Sequence, residues 1–336
     1  MKYLLKKYWI LILLALIINL PIFYLGVSKT DKSIILTGDT FMVDGLVSID
    51  NEIEVNGSYS SIFVISMDHA TKLQAMITSI DEKAFVYDMT DDYLHFSNIE
   101  LSMMGSIQFQ SAIDTSIIQA YLEAKKYDNS INIEYTNKSL CISYYEDGSP
   151  FRIGDEIIAI NNISIETDFE MFRNAFNNRK ANDIIKVLRN ETEVEIVLDE
   201  NNMNSFGGYR YYNINYDTLF PQLTINYQSL GGPSGGLLQT LHIFDKITTE
   251  DFAKGNKIAG TGTIEHDGSV GPIGGIEQKI YTAYADNVDI FFCPEENYQD
   301  ALKAYNTLEN KERMALVMVR TLEDAINYLK QCKNSA

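Results

Sequence analysis

A long uncharged run near the N-terminus constrains this chain more than any other feature. Tyr8 to Ser28 contains no Asp, Glu, Lys or Arg, and three lysines precede it. About twenty residues of α-helix reach about 30 Å, the thickness of the hydrocarbon core of a bilayer. We therefore predict a transmembrane helix over residues 8–28, with residues 1–7 as a cytoplasmic tail because basic residues favour that side.

A cleaved signal peptide is the competing interpretation of this run. The run is long, and the residues from Tyr24 to Lys29 contain no A-x-A cleavage pattern. Trp9 and Tyr24 lie near its two ends, where interfacial aromatic residues occur. Lys29 and Lys32 on the far side weaken the charge asymmetry. The expectation is a single-pass anchor in the cell membrane, with all later domains outside the cytoplasm.

The composition argues against several classes of partner. The formal net charge is -19, so no basic surface of any size is available to neutralise the phosphates of a nucleic acid. The three cysteines form no CxxC pair, and the four histidines show no HExxH spacing. We therefore predict no metal site, no disulfide framework and no cofactor.

Residues 29–129 form a membrane-proximal region without a catalytic motif. Strand-like runs such as Phe63–Ser66 occur in it, and an amphipathic helix is predicted from Ser111 to Lys126. We expect this region to pack, or to act as a spacer between the membrane and the later domains. The apolar stripe of the predicted helix consists of Ile113, Ile117, Ala120, Tyr121 and Ala124.

Residues 130–200 show a pattern of short strands. The run from Gly148 to Asn162 resembles a PDZ domain, in which a Gly-Asp turn leads into a strand that ends near Asn-Gly; here Asn162 replaces the usual glycine. PDZ domains bind an extended chain by adding it to a sheet edge, but the carboxylate-binding loop expected near Tyr135–Leu140 lacks a clear glycine signature. The predicted elements are strands at Ile131–Tyr135, Leu140–Tyr145 and Glu156–Ile160, a helix around Asp168–Asn177, and a hairpin of Ile184–Leu188 with Val194–Leu198.

Ser234 lies where a turn becomes a helix. Residues 223–228 alternate apolar and polar side chains, as a half-buried strand does, and two glycines and a proline then break the strand. Leucines three, four and seven positions later place the serine on the inward face of the first turn of a helix. Free N–H groups at such a helix start can bind the oxyanion formed when a nucleophile attacks a carbonyl. A plain N-cap serine is the alternative.

Lys279 lies on the apolar face of a second predicted helix. A strand turns at Asp267-Gly268, and a helix opens after Gly274-Gly275. Its apolar residues at positions 276, 280 and 283 share a face with Lys279. Burial would lower the pKa of this lysine from about 10.4 towards neutrality, where its amine can accept a proton. A snorkelling lysine is the alternative.

Together, these two segments resemble the proteolytic domain of Lon proteases, over roughly residues 202–336. That family pairs a nucleophilic serine in Gly-Pro-Ser with a lysine that follows Pro-Ile-Gly-Gly, and both motifs are present. The resemblance implies that Ser234 is the nucleophile and Lys279 the general base. It also implies that Thr261 hydrogen-bonds the lysine and that the backbone N–H groups of Ser234 and Gly232 form the oxyanion hole. Gly235 stands where the family commonly has alanine.

The predicted fold class is α+β: an N-terminal transmembrane helix, a PDZ-like β-rich domain over 130–200 and a C-terminal Lon-type α/β proteolytic domain over 201–336. This order resembles the membrane-anchored PDZ-containing Lon-like proteases of bacteria. No Walker A motif is present, so no ATP-driven unfoldase is expected in this chain.

The implied function is an ATP-independent serine endopeptidase at the extracytoplasmic face. Its expected substrates are small or unfolded proteins or peptides, including small membrane or cell-envelope proteins. Lon-like domains often form rings, which implies a homo-oligomer.

Two other functions remain open at this point. One is a Ser-His-Asp hydrolase that uses His242 or His266, although His242 is two helical turns from Ser234 and His266 lies in a turn. The other is a membrane-tethered PDZ scaffold with an inactive protease fold.

Overall fold

The computed structural model describes residues 2–50, 55–226, 231–248 and 250–332, with side chains from residue 7 onward. It is a mixed α/β fold in which an N-terminal apolar helix precedes a sheet-rich body. The helices in the described residues are α1 (Lys2–Val27), α2 (Lys72–Thr78), α3 (Asp91–Leu94), α4 (Asn98–Ala124), α5 (Phe169–Asn177), α6 (Gly236–Ile247), α7 (Ile276–Ala285), α8 (Tyr298–Asn306) and α9 (Leu322–Gln331).

The strands make two large sheets and two small pairs. The strands in the described residues are β1 (Lys32–Met42), β2 (Val47–Ile49), β3 (Ser58–Met67), β4 (Phe85–Asp88), β5 (Tyr135–Tyr145), β6 (Glu156–Ile160), β7 (Ile163–Ser164), β8 (Ile184–Arg189), β9 (Thr192–Val197), β10 (Phe206–Ile214), β11 (Leu223–Ile225), β12 (Lys257–Gly260), β13 (Thr263–Ile264), β14 (Val270–Gly271), β15 (Ile290–Pro294) and β16 (Ala315–Val319).

Helix α1 contains the predicted apolar run. Among the described residues it is the one helix long and apolar enough to cross a membrane, over Lys7–Val27, with a mean hydropathy of 2.6 and no part of it buried. A helix of this length and composition occurs both in membrane spans and in signal sequences.

The first large sheet, here called the main sheet, has the strand order β16-β15-β12-β3-β1-β4. The four strands from β16 to β3 run parallel, and β1 and β4 add antiparallel. Successive residues of a strand point to opposite faces. Phe292 accordingly lies in the core beneath α4, α6 and α9, while its neighbour Phe291 lies in the core beneath α7 and α8.

Of the two roles expected for residues 29–129, packing and spacing, this sheet favours packing. Strands β1, β3 and β4 supply three of its six strands, and β3 pairs directly with β12. Helix α4 shares the core with α6, and the five residues of its predicted stripe are fully buried. The helix begins at Asn98, earlier than the predicted Ser111, because Ser97 and Glu100 form a capping box. Ser102 and Gly105 interrupt the apolar periodicity in the first turns of the helix, so the sequence pattern does not reveal this start.

The second large sheet, here called the small sheet, has the strand order β10-β5-β6-β8-β9, and β7 pairs with β6. Helix α5 covers its core, with Asp168 as N-cap, as predicted. The predicted hairpin is present as β8 and β9. Asp155, 1% exposed, is held by Arg189, whose Nε and Nη2 lie 2.7 and 2.6 Å from its oxygens.

Two details of the small sheet differ from the predictions. Residues 131–134 make only a single bridge, between Asn132 and Phe220, and the strand begins at Tyr135. The expected carboxylate-binding loop at Tyr135–Leu140 is therefore part of β5. Strand β10 lies beyond the predicted boundary at residue 200, yet it pairs with β5 along its whole length, so the small sheet extends to Ile214.

Candidate active site

Ser234 lies in the turn that leads into α6, at the end of the main sheet. The helix begins at Gly236 with Gly235 as N-cap, so the serine precedes the helix and is not on its first turn as predicted. Adjacent glycines are poor helix formers, which accounts for the later start. Of the strand predicted before it, Leu223–Ile225 forms β11, whereas Tyr227 and Gln228 lie outside the described residues.

Lys279 reaches this serine from α7. As predicted, this helix opens after the glycine pair, and Gly275 is its N-cap with φ 69°, a left-handed conformation that glycine adopts readily. Lys279 is 2% exposed, so it is a buried lysine and not a snorkelling one. Its Nζ lies 2.9 Å from Oγ of Ser234 and 2.9 Å from Oγ1 of Thr261.

Thr261 follows β12 directly and bonds both the Lys279 side chain and the Ser234 backbone. Its side chain is fully buried. The Thr261 hydroxyl donates to the Ser234 carbonyl oxygen at 3.1 Å, and the same carbonyl accepts the Gly262 N–H at 2.9 Å. With its proton directed to that carbonyl, the threonine oxygen can accept a hydrogen from Nζ of Lys279. The threonine therefore orients the amine towards the serine.

Burial changes the protonation of the lysine. Because an ammonium ion is disfavoured away from water, burial lowers the pKa of Lys279 from its ordinary 10.5 to about 7. A large share of the amines is then neutral near pH 7. The lone pair of a neutral amine can accept the proton of the Ser234 hydroxyl, which is the chemistry required of a general base.

Two backbone N–H groups were expected to bind an oxyanion. Among the described residues, the Ser234 N–H has no hydrogen-bond partner, so it is available for this role. The Gly232 N–H instead donates to the Gly105 carbonyl of α4 at 2.8 Å. In this conformation the predicted second donor is therefore occupied. Gly105 carries no sequence signal for this contact, which depends on where α4 packs.

Ser61 and Gln239 line the site but were not recognised from the sequence. The Ser61 hydroxyl oxygen on β3 is buried and has no hydrogen-bond partner in the part of the chain that the structure describes. A Cβ added at Gly235 would lie 3.0 Å from this oxygen and 3.0 Å from Nε2 of Gln239. Such contacts are tighter than most Cβ contacts in proteins. The resemblance leads us to expect alanine at this position, and the glycine leaves room for the two polar groups.

A small cavity adjoins the serine, and a larger groove adjoins the cavity. The cavity, of about 40 Å³, is bounded by Ser234 together with Phe41, Phe63 and Phe109. It shares Phe63 and Gly231 with a groove of about 990 Å³. The groove follows β3 past Ser61, where β12 stops pairing with it, and runs between α2 and α4 to Lys29. An extended chain would therefore have a route to Ser234 along the end of β3.

The two histidines considered as bases are not brought to the serine. His242 is 3% exposed inside α6, its Nε2 lies 3.2 Å from Oδ1 of Asp44, and burial lowers its pKa to about 4. His266 stacks on Tyr212, with ring centroids 5.8 Å apart. Each is thus engaged elsewhere, and the geometry favours the lysine as the partner of Ser234.

Comparisons with known proteins concern the part of the chain that contains Ser234 and Lys279. Residues 228–331 match the family model of the Lon protease (S16) C-terminal proteolytic domain. Over 153 residues, 45% of this chain, the sequence is 28% identical to a Lon protease of Campylobacter jejuni subsp. jejuni. The chain spans 18% of the length of that relative. The C-terminal part of the chain is therefore similar to the proteolytic domain of Lon proteases, and this similarity supports a serine peptidase.

Proposed function

We propose that this protein is an ATP-independent, membrane-anchored serine endopeptidase with a Ser234–Lys279 dyad. The observation that carries the proposal is the 2.9 Å distance between Nζ of a buried lysine and Oγ of the serine. A lysine buried in this way disfavours folding near pH 7, so its presence calls for a functional reason. Base catalysis gives a reason for its presence.

In the proposed mechanism, the neutral amine of Lys279 takes the proton of the Ser234 hydroxyl as the oxygen attacks the carbonyl carbon of a peptide bond. The resulting oxyanion accepts a hydrogen bond from the Ser234 N–H. The ammonium group of Lys279 then returns the proton to the leaving amine, and an acyl-enzyme remains. A water molecule, deprotonated by the same lysine, attacks the ester and restores the serine. The Gly232 N–H contributes only if it leaves the Gly105 carbonyl.

The substrates in this proposal are small, flexible or unfolded proteins and peptides outside the cytoplasm. Support comes from the absence of a Walker A motif and from the groove beside β3, which suits an extended chain and not a folded domain. The apolar helix α1 would serve as the uncleaved anchor. These assignments rest on the sequence and on the shape of the groove.

We also propose that the small sheet with α5 is a PDZ-like unit over about 130–214. The Gly-Asp turn before β6 and the Asn161-Asn162 turn after it support this, since both asparagines adopt the left-handed conformation that the usual Asn-Gly would. Strand β5 is paired with β10 on one edge and with β6 on the other. A peptide could add to the β10 edge of β5 only if β10 moved away, so the unit is proposed as a PDZ-like fold without assigned peptide binding.

The test is hydrolysis of an unfolded protein, fluorescently labelled casein, by the full chain in detergent. The wild type should release labelled fragments, and Ser234→Ala should release none. The exposed Lys257 provides a matched control, because Lys257→Met removes a lysine from the same domain outside the dyad. If the wild type, Ser234→Ala and Lys257→Met all left the casein fluorescence unchanged over time, the result would favour the inactive scaffold over the endopeptidase.

A further inference from the structure

An apolar stripe on α2 is exposed beyond its first residue. Leu73, Met76, Ile77 and Ile80 are spaced at i, i+3, i+4 and i+7, which places them on one side of the helix and of the residues that follow it. Met76, Ile77 and Ile80 are 53%, 58% and 80% exposed. Grouped large apolar side chains on a surface mark a site of contact with a protein or a membrane.

Helix α2 is fixed to the end of the apolar helix α1. The Lys72 Nζ donates to the Tyr24 hydroxyl at 3.1 Å, and the Lys72 N–H donates to the Ser28 carbonyl at 2.9 Å. Leu73, the first residue of the stripe, lies against α1, since a Cβ added at Gly26 would lie 3.8 Å from its side chain. The stripe therefore starts at α1 and continues away from it.

We propose that this stripe lies on the surface of the lipid bilayer, with its apolar side chains in the interfacial region. The proposal rests on the membrane anchor of the proposed function. Because the end of α1 lies at the bilayer boundary, a helix bound to that end is within reach of the same boundary. Continuity of the stripe with α1 favours lipid over a soluble partner. An interfacial helix buries an apolar face in this way, while Lys72 remains near the headgroups.

This placement has a consequence for the groove. Thr71, the N-cap of α2, and Gln74 on α2 line the groove, which ends at Lys29, two residues after α1. Helix α2 would thus form a wall between the bilayer and the groove. A chain that enters at Lys29 would come from the membrane surface, so the favoured substrates are segments next to the bilayer, such as the flanks of other membrane spans.

The experiment uses the full chain in vesicles of phosphatidylcholine and phosphatidylglycerol. An environment-sensitive NBD probe is attached to Ile80→Cys, or to Met171→Cys as the matched control, since Met171 is 54% exposed on α5. Cys332 is replaced by serine in both proteins, and the other two cysteines are buried. The probe at position 80 should emit at shorter wavelength than the probe at 171 and lose most of its emission when spin-labelled lipids are added.

The single tryptophan distinguishes failure of this proposal from failure of the anchor. Trp9 lies in α1, so its quenching by brominated lipids reports insertion of that helix. Quenching of Trp9 without quenching at position 80 would overturn the proposal and leave the anchor intact. Quenching at neither position would remove the anchor and the proposal with it. A spectral shift at position 80 that depends on the protein-to-lipid ratio, without lipid quenching, would indicate that the stripe contacts a second copy of the chain. That result would also overturn the proposal.

Discussion

The pH dependence of peptide hydrolysis should report the pKa of Lys279. A pKa of about 7 leaves about half of the amines neutral at pH 7, whereas an ordinary lysine with a pKa of 10.5 would leave about one in three thousand neutral. Since only the neutral amine can take the Ser234 proton, kcat/KM should rise with pH and reach half of its plateau near pH 7. At pH 5 it should be about one hundredth of the plateau.

The same pKa predicts an effect on stability. A lysine with a lowered folded-state pKa resists protonation in the folded protein, so its unfavourable contribution is fully present below pH 7 and disappears as the pH rises through 10.5. From these two values the contribution is about 4 kcal/mol at pH 7 and about 2 kcal/mol at pH 9. Lys279→Met should therefore unfold at a higher temperature than the wild type in detergent, and the gap should narrow as the pH rises.

Activity of the substituted proteins completes this test. Lys279→Met and Lys279→Arg should both be inactive, the first because it has no amine and the second because a guanidinium stays protonated. Lys257→Met should keep the wild-type pH profile. A midpoint near 10, or substantial turnover by folded Lys279→Met, would refute the assignment of the lysine as base.

Three further outcomes are expected. Thr261→Val should lower kcat/KM about 10- to 100-fold because it removes the hydrogen bond that orients the amine, and Thr261→Ser should keep most of the wild-type kcat/KM. Equal kcat/KM values for the Val and Ser variants would show that this hydrogen bond is unimportant. Arg189→Met should lower the free energy of unfolding by about 3 kcal/mol, measured by thermal unfolding, because Asp155 would remain buried without its ion-pair partner. As a control, Arg173→Met removes an exposed ion pair and should lower it by less than about 1 kcal/mol. External protease should digest residues 29–336 in cells stripped of wall, and full protection would contradict the proposed topology.

The sequence predicted the helix around Lys279 better than the contacts that distant segments make near Ser234. Lys279 could be recognised because helical periodicity places it among buried residues, and this depends only on neighbours in the chain. The start of α6 differs from the prediction by two residues because Gly235 and Gly236 follow the serine. Glycine has a low helix propensity, so tertiary packing decides whether the helix includes these two residues.

Contacts between distant segments could not be predicted in the same way. The bond from Gly232 to Gly105 and the approach of Ser61 to Gly235 depend on how α4 and β3 pack beside the serine. Strand periodicity did indicate part of β3, but nothing in its composition connects it to β12. Pairing partners in a sheet are set by the whole core, which is why the sequence left both a packing role and a spacer role open for residues 29–129.

The most direct test of the Ser234–Lys279 dyad is the site of covalent labelling by a serine-directed phosphonate. The full chain is treated with the reagent at pH 8 and digested, and the modified residue is identified by mass spectrometry. The dyad predicts an adduct on Ser234 in the wild type and in Lys257→Met, and none at that residue in Ser234→Ala or Lys279→Met. An unmodified Ser234 in the wild type, or an adduct on Ser234 that forms equally fast in Lys279→Met, would contradict the dyad.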